Sequence, residues 1–378
     1  MILTQEQEMI RDSLRDFAQE RLAPFAAEWD RHHIFPAEAL RELGELGALG
    51  MVVPEQWGGA GMDYMSLVLV IEEIAAGDGA TSTIVSVQNS LACGITMKYG
   101  SDEQKENWLK PLARGEMLGC FCLTEPHTGS DAAAITTRAE RDGDHFILNG
   151  VKQFITTGKY AQVAIVFAVT DKSAGKKGIS CFLVPTDTPG YIVARIEEKM
   201  GQRASDTAQI LFEDCRIPAT CLLGKEGDGY RIALSNLEAG RIGIAAQSVG
   251  MARAAFEAAV QYAKERETFG KPIIEHQAVS FRLADMATQI DAARLLVWRA
   301  ATCKDAGQPC LKEASMAKMF ASEMAERVCS DAIQILGGYG YVSDFPVERI
   351  YRDVRVCQIY EGANDIQRLV IGRAVAEA

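Results

Sequence analysis

At 378 residues the chain exceeds what one compact core usually holds, so two or three domains sharing an interface are expected. Hydrophobic residues make up 48% and charged residues 24%, ordinary for a globular protein, which excludes a mainly disordered chain. A formal charge of −12 excludes broad binding to nucleic acid or to an anionic membrane surface and leaves room only for a local basic pocket.

The opening stretch, MILTQEQEMIRDSLRDF, brings in charge within its first six residues. It has neither the apolar core of a signal peptide nor the Arg-rich, acid-poor character of a transit sequence, and no span reaches the length of a membrane helix, so a cytoplasmic protein is expected. Ten cysteines lack a disulfide rhythm and read as free thiols. No Cys-x-x-Cys or His-x-x-x-His spacing occurs, which argues against a zinc site.

Residues 1–116 read as a helical domain. Thr4 can cap a helix with Gln7 three residues on, and Leu3, Ile10, Leu14 and Phe17 trace one apolar face. Breaks fall at Pro24, at Pro36 and in the glycine-rich run 54–61, a tight loop. Residues 117–226 change character. Short β-branched and aromatic runs, among them CFCLT, HFILNGVKQFITT, VAIVFAVT and AQILFEDCRI, predict a β-domain of six to eight strands, with turns at Asp142-Gly143 and Asn149-Gly150. Residues 227–378 return to the helical period. Ile242, Val249 and Phe256 are spaced by seven with Ala245, Ala252 and Ala259 between them, permitting close helix approach. A second stripe runs from Val279 to Val297, a third from Ala317 to Ile335, and Pro346 opens a further helix; an antiparallel bundle follows. The fold class is thus α+β and multidomain: an N-terminal helical domain, a central sandwich- or barrel-like β-domain and a C-terminal four-helix bundle. No flexible linker separates them, so a site at their junction is expected.

Three segments are rich in groups suited to a nucleotide cofactor. In FCLTEPHTGSD (121–131) a strand runs into a loop whose hydroxyls and free N–H groups can bind a ring edge or a pyrophosphate, although an ordinary polar loop capped by Ser130 accounts for the same residues. In KQFITTG (152–158) Phe154 and Thr156 face the same way on a strand; core packing explains Phe154 equally well. In QILGGYGY (334–341) glycines follow a helix, where they also serve as a C-cap.

Together with PEQWGGAGMDY (54–64), LEAGRIGIAAQSVG (237–250), RETFGKPIIEHQ (266–277) and QIYEGANDIQRLVIG (358–372), these segments resemble the acyl-CoA dehydrogenase family over essentially the whole chain, nearest to its short-chain, butyryl-CoA-like branch. The resemblance implies FAD between sheet and bundle, reaching a neighbouring subunit of a homotetramer. It implies that Phe121, Leu123, Thr124, Ser130, Phe154 and Thr156 contact the flavin or its pyrophosphate, with Ala363 and Asp365 beside it. Arg266, Thr268, Phe269, Gln277, Gln334, Gly337 and Gly338 then hold the adenosine diphosphate end. Arg266 suits a phosphate because its guanidinium stays charged and can bond two oxygens.

By the same resemblance Glu361 is the base that takes the α-proton of a short acyl-CoA, giving the trans-2-enoyl-CoA, with electrons passing to an electron-transferring flavoprotein. Ser130, Glu238, Arg241, Tyr360 and Gly362 are the substrate-side residues. Some members carry the base on the long helix before an arginine; here that position is Gly240, before Arg241, which leaves Glu361. The chain departs from the common pattern at Ala363, Asn364 and Asp365, where a hydroxyl near the cofactor is missing. It departs again at His127, where glycine is frequent, and at Phe154, where tryptophan is common. A branched short-chain substrate, an oxidase or lyase of the same fold, and a silent binding protein stand as alternatives.

Overall fold

The computed structural model describes residues 2–377. Its first third is helical: α1 (Gln5–Phe17), α2 (Ala26–His32), α3 (Ala37–Glu45), α4 (Tyr64–Gly77), α5 (Gly79–Val87), α6 (Gly94–Tyr99) and the short α7 (Asp102–Gln104) and α8 (Lys110–Ala113). Thr4 and Gln7 form the reciprocal cap expected from their spacing. Leu14 is buried, and Leu3, Ile10 and Phe17 pack beside it.

The middle third forms one eight-stranded sheet: β1 (Gly119–Cys122), β2 (Arg138–Asp142), β3 (His145–Thr156), β4 (Val163–Val169), β5 (Ile179–Pro185), β6 (Tyr191–Ile196), β7 (Thr207–Pro218) and β8 (Leu222–Leu223). The strand order is β6-β7-β3-β2-β4-β5-β8, with β1 also parallel to β4. Asp142-Gly143 makes the β2–β3 turn, Gly143 taking φ +61°. Asn149-Gly150 does not make a turn. It lies inside β3 at a bulge between Leu148 and Gly150, where a Cβ on residue 150 would run into Thr137. The extra residue bends the long strand without ending it.

The last third comprises α9 (Gly229–Glu265), then a small hairpin of β9 (Glu267–Thr268) and β10 (Lys271–Pro272), α10 (Gln277–Asp305), α11 (Leu311–Leu336), α12 (Gly338–Tyr341), α13 (Val347–Val354) and α14 (Asn364–Ala376). The predicted stripes are the buried ones: Ile242, Val249, Leu283, Met286, Ile290, Ala317, Ala321, Met324 and Val328 are all sealed from solvent. Small residues bring α9 close to the N-terminal helices. The backbone of Gly250 lies against that of Glu72 on α4, and Gly243 lies against Ser86 on α5. One continuous apolar core therefore runs from α1 and α4 into the C-terminal helices, while two further cores lie on the two sides of the sheet. Among the described residues no helix is long and apolar enough to cross a membrane.

Candidate active site

Two consecutive residues between Tyr360 and α14 take the left-handed conformation, Glu361 at φ +54° and Gly362 at φ +84°. Glycine accepts such angles freely and glutamate does not, so the Glu361 backbone is held there by its surroundings. The turn aims the Glu361 side chain at α9, where it rests on Gly240: a Cβ on residue 240 would overlap the carboxylate oxygen Oε1. That oxygen is shut off from solvent and has no hydrogen-bond partner. Burial pushes the Glu361 carboxyl up to about 7, against the opposing pull of Arg241 and Lys318. No acceptor among the described residues takes its backbone N–H. An ionisable group that is desolvated, unpaired and shifted toward neutrality is a candidate for acid–base chemistry.

Around this turn the neighbours are fixed. The Tyr360 hydroxyl donates to Gln247 Oε1 at 2.7 Å and lies 3.4 Å from both Gln202 Nε2 and Thr83 Oγ1. Gln247 in turn donates to Thr83 at 2.5 Å. This knot ties α5, the segment before β7 and α9 to the residue preceding Glu361. Arg241, buried, donates to Ser315 Oγ at 3.2 Å, and its Nε is unpartnered. Glu238 has partners of its own: Lys304 Nζ at 2.9 Å and the Cys310 N–H at 2.9 Å, joining α9 to the α10–α11 connection. Ala363 stands as N-cap of α14 without a side-chain bond, and Asp365 is exposed.

The loop after β1 is built on a buried ion pair that sequence reasoning did not find. Lys152 Nζ, fully enclosed, donates to Glu125 Oε1 at 2.8 Å and to the Leu123 carbonyl at 3.1 Å. Glu125 also accepts from Thr136 N–H at 2.7 Å and Thr137 N–H at 2.9 Å. Burial alone would raise this carboxyl, but Lys152 and the threonine donors outweigh it and hold it at about 2. The loop closes through Thr128 Oγ1 to the Asp131 carbonyl at 2.6 Å, and Ser130 is exposed. Ser130 makes no cap: the short turn of helix at Ala132–Ala134 starts from Asp131 without a side-chain cap bond. Phe121 packs edge-on against Phe167, Leu123 is buried, and the Thr124 carbonyl accepts from the Gln153 N–H. His127 Nε2 lies 3.1 Å from the Ala134 carbonyl. Phe154 is 63% exposed on a left-handed backbone of φ +59°, with half-buried Thr156 beyond it. An exposed ring held at such an angle is not core packing.

A second cluster lies at the far end of α9. Arg266, Thr268, Gly337 and Gly338 line a cleft of about 520 Å³ with Tyr262, Ile273 and Tyr339. Nothing lies within 4 Å of where side chains on Gly337 or Gly338 would stand, so the backbone is open to a ligand. Gly337 also accounts for the helix end, its N–H bonding the Ile333 carbonyl. Phe269 projects almost wholly into solvent at φ +52°, and Gln277 and Gln334 are exposed. Along α9 this cluster is about 26 residues, or roughly 39 Å, from Gly240.

Family models for the N-terminal, middle and C-terminal domains of acyl-CoA dehydrogenase match residues 4–116, 120–215 and 227–376. The chain belongs to the acyl-CoA dehydrogenase family. It is 50% identical to the mitochondrial short-chain specific acyl-CoA dehydrogenase of Rattus norvegicus, over 98% of this chain and 90% of that protein. Among solved acyl-CoA dehydrogenases, the butyryl-CoA dehydrogenase of Megasphaera elsdenii superposes with a TM-score of 0.97 at 43% identity, covering 100% of this chain and 99% of the other. A chain solved in work on the electron transferring flavoprotein of Acidaminococcus fermentans superposes with a TM-score of 0.99 at 47% identity, covering 100% of both. Acyl-CoA dehydrogenases depend on FAD. The present residues fit that cofactor: an exposed aromatic on the sheet, an open glycine step and a guanidinium lining one cleft, and an unpaired carboxylate between helices.

Proposed function

We propose that this acyl-CoA dehydrogenase oxidises a short saturated acyl-CoA to its trans-2-enoyl-CoA, with Glu361 as the α-proton base. The observation that carries this reading is the Glu361 carboxylate itself, seated on Gly240, buried, without a partner and raised to about 7. A carboxylate is too weak a base for a thioester α-carbon unless its own pKa rises and the thioester oxygen is stabilised as charge develops. Burial supplies the first. The free Glu361 N–H supports the second, as a donor to that oxygen. Arg241 and Gly362 border the same space, while Tyr360 and Glu238, engaged elsewhere, shape its walls.

FAD, when bound, supplies the acceptor for the β-hydride. Phe121, Leu123, Thr124, Ser130, Phe154 and Thr156 border its flavin end, near Ala363 and Asp365. Arg266, Thr268, Phe269, Gln277, Gln334, Gly337 and Gly338 hold its adenosine diphosphate end. The separation of the two clusters along α9 supports a cofactor shared between at least two copies; the assembly proposed is a homotetramer. Electrons then leave to an electron-transferring flavoprotein, in the cytoplasm.

Purified enzyme assayed with butyryl- to octanoyl-CoA and isobutyryl-CoA, using a dye acceptor, tests the reading. Turnover peaking at four carbons is expected, with Glu361→Gln keeping the yellow cofactor and losing activity by orders of magnitude. A flavin-loaded enzyme inert toward every acyl-CoA refutes it, and vigorous peroxide production under air reassigns it as an oxidase.

A further inference from the structure

Facing the Glu361 turn is a buried lysine to which neither the sequence motifs nor the reaction above gives a task. Lys318 stands on the inner face of α11 among Ala314, Ala317 and Ala321, and none of it reaches solvent. Enclosing an ammonium is costly unless its protons are bonded. Lys318 Nζ donates to the Gly362 carbonyl at 2.9 Å and to Asn364 Oδ1 at 2.9 Å. The Gly362 carbonyl takes a second bond, from the fully buried Gln367 Nε2 at 2.7 Å, and the same amide reaches the Glu361 carbonyl at 3.3 Å. Asn364 is anchored in turn, donating to Ser322 Oγ at 3.0 Å and to Glu323 Oε1 at 3.1 Å. Donors from two helices thus grip the carbonyls of both left-handed residues.

A neutral donor would hold a carbonyl as well, so the charge needs its own account. The ionisable groups facing Lys318 are Arg241 from α9, Cys357 from the turn after α13, Glu323 from its own helix and Glu361. Burial lowers the Lys318 ammonium to about 8, with Cys357 and Glu361 opposing that shift, and at neutral pH it remains a cation. The Glu361 carboxylate therefore feels two enclosed cations, Arg241 and Lys318. Among the described residues neither approaches it closely enough to form an ion pair, since its Oε1 has no partner. A contact pair would quench the basicity of the carboxylate. Charges at one remove offset part of the rise that burial imposes and leave the carboxylate free to take a proton.

The geometry points to Lys318 as a positioning residue for Glu361: it clamps the Glu361-Gly362 turn through the Gly362 carbonyl and supplies a second, non-contacting positive charge to the base. This rests on the reading of Glu361 as the base, and the experiment separates the two.

Lys318→Met, Lys318→Gln and Glu361→Gln are compared in the FAD-loaded full-length enzyme. Lys318→Met removes donor and charge, and kcat should fall on the order of 10- to 100-fold with flavin content unchanged and KM within about threefold. Lys318→Gln keeps a donor without charge. Its kcat should recover at high pH, while the acid limb moves up by about one unit. The carboxyl band of Glu361, identified by infrared difference against Glu361→Gln, should titrate with the same shift. Lysine variants that lower only the melting temperature, with kcat per flavin and the acid limb unchanged, overturn the inference. Should Lys318→Met fail to fold, Asn364→Ala removes one of the lysine's two acceptors; a several-fold loss of kcat supports the clamp, and unchanged kcat overturns it. An active Glu361→Gln refutes the base itself. An inactive one beside normal lysine variants refutes only the role of Lys318.

Discussion

The carboxylate of Glu361 and the missing side chain of Gly240 occupy one place. Two positions far apart in sequence therefore converge on a single point in space, and a residue at one requires emptiness at the other. Gly240→Ala should displace the Glu361 carboxylate, the movable partner in the overlap. Because alanine favours a helix interior over glycine by about 1 kcal/mol, the variant should melt no lower than the parent while kcat falls on the order of 10-fold or more. Steady-state kinetics and a thermal melt on the same sample check both halves.

Glu361 also sets a pH signature of stability. Its folded-state pKa of about 7 lies above the ordinary 4.5, so the folded protein holds an extra proton between those values. The stability it contributes is present below about 4.5 and is lost as pH rises through 7. Glu361→Gln cannot ionise. The variant should match the parent near pH 4.5 and exceed it above pH 7 by roughly 3 kcal/mol, about 1.4 kcal/mol for each pH unit between the two values. Asp353, also raised by burial to about 7, is common to both proteins and cancels in the difference. Denaturation across pH tests this, and a difference that does not vary with pH contradicts it.

The Glu125–Lys152 pair predicts the opposite sign. Held at about 2, Glu125 contributes stability above its unfolded value, and that contribution disappears as pH falls toward 2. Glu125→Gln strands a fully buried ammonium and should cost about 3–5 kcal/mol, read as a lower denaturation midpoint. Replacing both partners with Leu and Met should restore much of the loss.

Cofactor sharing between copies is tested by complementation. Arg266→Ala should release FAD on dialysis, and Glu361→Gln should keep FAD but not turn over. Co-expressed, the two chains should regain roughly a quarter of wild-type activity, since mixed pairs contain one site with both residues intact. No recovery would place both ends of the cofactor in one chain.

The order helices, sheet, helices is legible because each block obeys its own hydrophobic period, and the buried stripes of α9, α10 and α11 follow the expected residues. β2 escaped the reading. Its sequence RAERD buries Ala139 and exposes the four charged residues, so no alternation betrays a strand that pairing with β3 and β4 establishes. Asn149-Gly150 has the composition of a turn and the geometry of a bulge, because the contacts that decide between them come from Thr137. Lys152 and Lys318 were invisible for a different reason. Lysine is ordinarily a surface residue, and what makes these two buried is a carboxylate or carbonyl that only the fold brings near. Glu361 itself was found through resemblance; its seat on Gly240 and its orphaned oxygen belong to three dimensions.

The unbroken run of α9 from Gly240 to Glu265, with Arg266 as its C-cap, makes that helix a shaft with a fixed phase. Each residue advances the helix by about 1.5 Å and turns it by about 100°. Deleting one residue between the two points would swing Arg266 away from its cleft, or Gly240 away from the carboxylate, although no functional side chain had changed. Length variation among enzymes of this architecture should therefore collect in the loops and at the chain ends, while the interior of α9 keeps its count.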